Sequence, residues 1–141
     1  MAERIRDIMT HDPATLSASA SVAEAAQLMR DSDIGDVIVL GDGNEIAGIV
    51  TDRDIAVQVV ADNRDASSTK VGEIASRDLV TISPDESIGN AVRLMSERAV
   101  RRLPVVEGNR PVGIVSLGDL AVIKDPESAL ADISAAPSDQ P

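Results

Sequence analysis

The sequence predicts an α/β fold: two copies of one strand–helix–strand–strand–helix unit, each with a small sheet. Three observations predict it. The run Gly48-Ile49-Val50-Thr51-Asp52-Arg53-Asp54 has a near copy 65 residues on, Gly113-Ile114-Val115-Ser116-Leu117-Gly118-Asp119. The order of apolar and turn residues before the first run restarts after Lys70, and self-similarity over that length marks a duplicated structural unit. The chain has 141 residues and is 43% apolar without a Phe, Tyr or Trp, so its core is aliphatic. One copy, with two or three strands, buries too little on its own. Two packed together bury enough.

Each element has a local reason. Glu3 to Met9 places Ile5, Ile8 and Met9 on one side of a short helix. The turn His11-Asp12-Pro13 ends it, because the residue before proline avoids helical backbone. Thr15-Leu16 is a short extended piece. Ser21-Val22-Ala23-Glu24 is a capping box that opens a helix with Val22, Ala25, Ala26 and Met29 on its buried face. Val37 to Leu40 is a buried strand, Asp42-Gly43-Asn44 a turn, and Ile46 to Val50 the return strand of a hairpin. Asp52 to about Ala61 is a helix with Ile55 and Val59 on one face.

The second copy answers the first. Val71-Gly72-Glu73-Ile74 matches Ile5 to Ile8, and Leu79 to Ser83 matches Pro13 to Ser17. Ser87 to Arg98 matches Ser21 to Ser32, with Met95 on Met29 as a core residue. Leu103 to Val106 and Pro111 to Val115 form the second hairpin about Gly108-Asn109, and Asp119 to Lys124 is the last helix. The expected organisation is a first repeat over 3–61, a polar linker over 62–70, a second repeat over 71–124 and a weakly ordered tail over 125–141.

Composition excludes several functions. The chain lacks Cys, so it has no disulfide, thiolate nucleophile or cysteine metal site. Its single histidine, His11, is expected at the surface, and one His without clustered carboxylates holds no metal. No nucleophile–base pair is visible, so no enzyme is expected. No apolar run approaches a membrane span, and Met1-Ala2-Glu3-Arg4 carries charge at once; the expectation is a soluble, cytoplasmic protein. The net charge of −11 disfavours nucleic acid. It is uneven, however: residues 1–61 hold four basic and eleven acidic side chains, residues 71–123 six and seven. Arg98, Arg101 and Arg102 form a local basic cluster.

Thr51-x-x-Asp54 and Ser116-x-x-Asp119 each have two readings. Both fit a plain capping box, and duplicating a fold duplicates its caps. Both also put a hydroxyl and a carboxylate at a helix start, where N–H groups favour a phosphate and an ionised Asp accepts from two ribose hydroxyls.

Together these residues resemble the CBS domain pair, the tandem regulatory module first named from cystathionine β-synthase. The marks are Arg6-Asp7-Ile8-Met9-Thr10, Gly48 to Ile55, Val100-Arg101-Arg102-Leu103-Pro104-Val105-Val106 and Gly113-Ile114-Val115-Ser116, in order and over residues 3–123. The pattern is similar to small stand-alone bacterial CBS proteins, including the actinobacterial hypoxia-response type. The resemblance implies two repeats about a pseudo-two-fold axis, with clefts for AMP, ADP, ATP, S-adenosylmethionine or NADH. It also implies a homodimer, and no required cofactor beyond such a regulatory ligand. It implies that Thr51 and Ser116 contact phosphate and that Asp54 and Asp119 hold ribose. Thr51 and Asp54 would then face Thr81 and Val100 to Arg102, while Ser116 and Asp119 would face Thr15 and Ile34 to Asp36. Ile34 and Val100 are candidates to sandwich adenine, or else core residues. Arg101 or Arg102 would pair with a phosphate in the Thr51/Asp54 cleft, whereas Asp36 would repel one.

Two functions follow from that resemblance. One is a non-catalytic energy or stress sensor that binds an adenosine compound and signals to a protein partner. The other is a ligand-free dimerisation scaffold. IMP dehydrogenase also carries a CBS pair, but its catalytic barrel does not fit in 141 residues.

Overall fold

The structure, a computed structural model, describes residues 4–124. Glu3 and the tail expected over 125–141 lie outside those residues. The elements run α1 (Ile5–Ile8), β1 (Thr10–His11), β2 (Thr15–Ser17), α2 (Val22–Ser32), β3 (Asp36–Leu40), β4 (Ile46–Thr51) and α3 (Asp52–Ile55). They continue with α4 (Val71–Ile74), α5 (Ile88–Arg98), β5 (Arg102–Glu107), β6 (Arg110–Ser116) and α6 (Leu117–Lys124).

Two three-stranded sheets result, ordered β2-β3-β4 and β1-β6-β5. The two hairpins have matching registers. Val39 stands opposite Gly48 and Val105 opposite Gly113, and both ladders shift at the next residue. The described chain divides into two compact units, residues 13–79 and residues 4–12 with 80–124, here the first and second unit. Each has its own aliphatic core. Val22, Ala25, Met29, Val37, Val39, Val50, Val59, Val71 and Ile74 form the first. Ile5, Met9, Ile82, Ala91, Met95, Leu103, Val105, Val115 and Leu120 form the second.

The units are not the sequence repeats. α1 and β1 belong to the second unit, where Thr10 pairs with Ile114 and His11 with Gly113. α4 and Ser76 belong to the first, where Ser76 exchanges both backbone hydrogen bonds with Ile49, at 2.8 and 3.1 Å. The helix starts are anchored alike. Ile5 and Arg6 N–H donate to the carbonyls of Glu86 and Pro84, and Val71 and Gly72 N–H to those of Ala20 and Ala18. Each short helix and the strand residues after it therefore complete the sheet of the other copy's body.

Two glycines make room for that. A β-carbon on Gly113 would stand 2.9 Å from the Thr10 carbonyl oxygen, and one on Gly48 would stand 2.8 Å from that of Ser76. Only a residue without a side chain lets the incoming strand approach this closely.

Several expectations are corrected. Ala26 is exposed, because the buried stripe of α2 is the narrower set Val22, Ala25 and Met29. His11 is exposed as expected but stands in a strand rather than a turn, since β6 offers it a partner. The helix beginning at Asp52 widens over Ala56–Val60, where Ala61 N–H reaches back five residues to the Ala56 carbonyl. Val59 there is buried, while Val57 and Val60 are exposed. Helix α6 starts at Leu117, two residues before the expected Asp119. The segment over 62–70 is more than a polar connector: Val22 and Ala23 N–H donate to the carbonyls of Thr69 and Ala66, and Thr69 is buried.

Gly113→Ala and Gly48→Ala should each cost about 1–3 kcal/mol in a far-UV circular-dichroism melt, the penalty for forcing a methyl into filled space. Gly89→Ala in α5 is the contrast. Its β-carbon meets only Ser87 Oγ at 3.9 Å and Gly89 stands in the first turn, so the substitution should leave stability unchanged or raise it by less than the helix-interior value of about 1 kcal/mol.

Glu73 fastens α4 to the preceding segment. Its carboxylate accepts from Lys70 N–H at 2.8 Å and from Arg64 Nη2 at 2.7 Å. The Lys70 N–H first, and the Arg64 guanidinium after it, hold its carboxyl below the usual glutamate range. A depressed carboxylate stabilises the fold above its unfolded pKa, and that contribution is lost as pH falls through the folded value. The melting-temperature gap between wild type and Glu73→Gln should therefore be full at neutral pH and close on acidification.

Candidate functional site

The duplicated runs end in the same atomic arrangement. Strand β4 delivers Thr51 to the start of α3. There Asp54 N–H donates to Thr51 Oγ1 at 3.1 Å, and Thr51 N–H donates to Asp54 Oδ2 at 2.9 Å. Strand β6 delivers Ser116 to the start of α6, with Asp119 N–H to Ser116 Oγ at 3.1 Å and Ser116 N–H to Asp119 Oδ2 at 2.9 Å. Both are closed capping boxes, so the plain structural reading of the motif is realised twice. The box engages one lone pair of each hydroxyl and one oxygen of each carboxylate. The hydroxyl proton and Oδ1 are not used by it.

The neighbouring strand supplies a wall to each box. The Asp52 N–H donates to the Gly35 carbonyl at 3.0 Å, and the Leu117 N–H donates to the Arg101 carbonyl at 2.8 Å. These are equivalent bonds at equivalent positions. A β-carbon on Gly35 would stand 3.1 Å from Asp52 Oδ2, so this wall is tight. One residue on, Asp36 is the cross-strand partner of Thr51 and Arg102 that of Ser116. Directly opposed residues present their side chains on the same face. The Thr51 box therefore has a carboxylate beside it and the Ser116 box a guanidinium. The sequence showed that Arg101 and Arg102 replace Gly35 and Asp36. It did not show that each pair stands next to the run of its own repeat.

The remaining expected site residues divide by unit. Thr15, exposed on β2, and Ile34 lie in the first with Thr51 and Asp54. Thr81, Val100, Arg101 and Arg102 lie in the second with Ser116 and Asp119. Ile34 and Val100 pack against their own cores, and their N–H groups close the ends of α2 and α5 on the carbonyls of Met29 and Met95. Arg101 and Arg102 are exposed. Among the described residues no three His, Cys, Asp or Glu side chains form a metal-binding group.

Chemically, each box offers a hydroxyl donor and a carboxylate acceptor on a rigid strand-to-helix junction, and the two boxes differ in the charge beside them. The CBS domain model matches residues 5–61 and again 71–123.

The chain belongs to the CBS domain family.

CBS relatives of similar size are close in sequence. The CBS domain-containing protein YhcV of Bacillus subtilis is 43% identical over 118 residues, 84% of this chain and 83% of that protein. Hypoxic response protein 1 of Mycobacterium tuberculosis is 35% identical over 116 residues, 82% and 81% of the two chains. Among solved structures, the CBS domain pair of MJ0100, in complex with 5′-methylthioadenosine and S-adenosyl-L-methionine, superposes with a TM-score of 0.79. It is 26% identical and covers 91% of this chain and all of that one. Among the described residues, no helix is long and apolar enough to cross a membrane.

Replacing either cap hydroxyl tests the structural half of the site. Thr51→Ala and Ser116→Ala should each lose about 1 kcal/mol of stability in a thermal melt, the ordinary cost of a lost N-cap.

Proposed function

We propose that this CBS pair is a non-catalytic regulatory module that binds an adenosine-containing ligand, working as a homodimeric energy or stress sensor. The observation that supports it most is the pair of closed boxes, each with a hydroxyl proton and a carboxylate oxygen beyond those its cap uses. The adenosine compounds held by the related MJ0100 pair point to the same ligand class.

In this reading Asp54 and Asp119 accept from ribose hydroxyls, and Thr51 and Ser116 donate to the phosphate or its equivalent. Ile34, Val100 and Thr15 provide walls around the base. The charges decide which ligand goes where. A phosphorylated ligand belongs with Ser116 and Asp119, beside Arg101 and Arg102, where a guanidinium can bind two phosphate oxygens. Beside Thr51, Asp36 repels a phosphate, so that box takes an uncharged or cationic adenosine compound. The resemblance instead pairs Arg101 or Arg102 with Thr51 and Asp54; the assignment proposed here rests on the register that sets Arg102 across from Ser116. The ligand signals only through different affinities for two states of the protein.

The chain has no aromatic residue, so a 260 nm band in a purified, nucleic-acid-free sample reports bound nucleotide. Calorimetry and melts with AMP, ADP, ATP, S-adenosylmethionine and NADH then test the rest. A ligand at 100 times its Kd should add about 2.7 kcal/mol of stability. Asp119→Ala should weaken a phosphorylated ligand by about tenfold or more and spare S-adenosylmethionine; Asp54→Ala should do the reverse. Unchanged affinities in both variants would reject the site assignment. No shift with any ligand would favour the ligand-free scaffold.

A further inference from the structure

A second place in the molecule has the character of a binding site, and the capping boxes take no part in it. The second unit contains a cavity of about 250 Å³ lined by Thr81, Ile82, Ser83, Glu86, Asn90, Arg93 and Leu94. It lies where Thr81 to Ser83 run along β5. Ile82 pairs inward: its N–H donates to the Pro104 carbonyl, and its carbonyl accepts from Val106 N–H. Backbone groups alternate along an extended chain, so those of Thr81 turn away from β5. The same cavity is lined by a chain of polar groups running from Glu86, just before α5, to Asn90 and Arg93 on it. Asn90 Nδ2 donates to the Glu86 carboxylate, and Arg93 Nη2 donates to Asn90 Oδ1 at 2.8 Å. Asn90 thus bridges a carboxylate and a guanidinium, and the exposed Arg93 also lies 4.0 Å from Glu97 Oε1. Ile82 and Leu94 are the apolar part of the lining.

The duplication provides an internal control. Residues that build the fold are shared between the copies: Thr81 matches Thr15, Ser83 matches Ser17, Ser87 matches Ser21 and Leu94 matches Leu28. The polar chain is not shared. Glu86, Asn90 and Arg93 correspond to Ala20, Glu24 and Gln27. The first unit forms the same helix and sheet without them, so the fold does not require this arrangement.

We propose that this cavity binds a small zwitterion of the free α-amino acid class with an apolar side chain. The ammonium pairs with Glu86, the carboxylate with Arg93, and the side chain lies against Ile82 and Leu94. Opposite charges held one amide apart match a ligand carrying both signs at a short separation. The volume lies just below the usual range for drug-sized ligands, which favours a smaller ligand than a nucleotide. This site does not depend on the adenosine reading.

The test is calorimetry and far-UV circular-dichroism melts of the full chain with L-leucine and L-methionine, up to about 10 mM. N-acetyl-L-leucine amide, which lacks both charges, is the control probe. We expect L-leucine or L-methionine to raise the melting temperature and the control to leave it unchanged. Glu86→Gln, which keeps an acceptor for Asn90, and Arg93→Gln should each weaken binding by about tenfold or more. Asp54→Ala and Asp119→Ala should not affect it. Melts without ligand show whether each variant folds. The proposal is overturned if neither amino acid binds, if the uncharged control binds equally well, if folded Glu86→Gln and Arg93→Gln bind as wild type does, or if AMP competes for the cavity.

Discussion

Each sheet depends on a strand segment that comes from the other copy of the repeat. Thr10 against Ile114 and Ser76 against Ile49 are the same contact made twice. Both need a glycine beside them, because the backbone of the incoming segment occupies the volume a side chain would fill. The short helices before these segments bury Ile5 in one core and Val71 and Ile74 in the other. They are too short to hold their own shape in water and are helical because their first N–H groups and apolar faces dock. A sequence repeat without its incoming segment lacks part of its core, which ties the folding of the copies to one another.

The functional candidates stand close to this packing, and it shapes them. Gly48 and Gly113 open the runs that end in Thr51, Asp54, Ser116 and Asp119. The glycine admits the incoming strand, and the hydroxyl and carboxylate close the helix start a few residues later. One motif therefore has two structural duties before any ligand is considered. Its cap bonds fix both side chains at a stated geometry, which is what a binding group needs in order to be preorganised. The cap and the ligand-binding readings are compatible because they use different lone pairs and protons.

Much of the fold was legible in the sequence. The hairpins followed from apolar runs around turn residues, and the boxes followed from Thr/Ser-x-x-Asp spacing. Both are governed by neighbours only a few positions apart. Three features were not legible. Ala26 is exposed because the width of a buried stripe depends on what packs against it. The segment over 62–70 reads as a polar connector, yet its carbonyls cap the first turn of α2, a contact that composition does not encode. The Glu86–Asn90–Arg93 chain has ordinary helical spacing and gained meaning only with the cavity beside it.

By itself the sequence determined the family, the duplication, the order of elements and the residues of both boxes, because each is written in local pattern and repeated. Only the tertiary structure decided which segment completes which sheet and which charge stands beside which box. Those depend on pairing between residues far apart in the chain. A one-residue change in register would carry Arg102 and Asp36 to the opposite faces of their sheets. Val37 to Val39 and Leu103 to Val105 are buried on both faces, so the hairpin turns rather than one buried face hold that register, and with it the electrostatics of the two boxes.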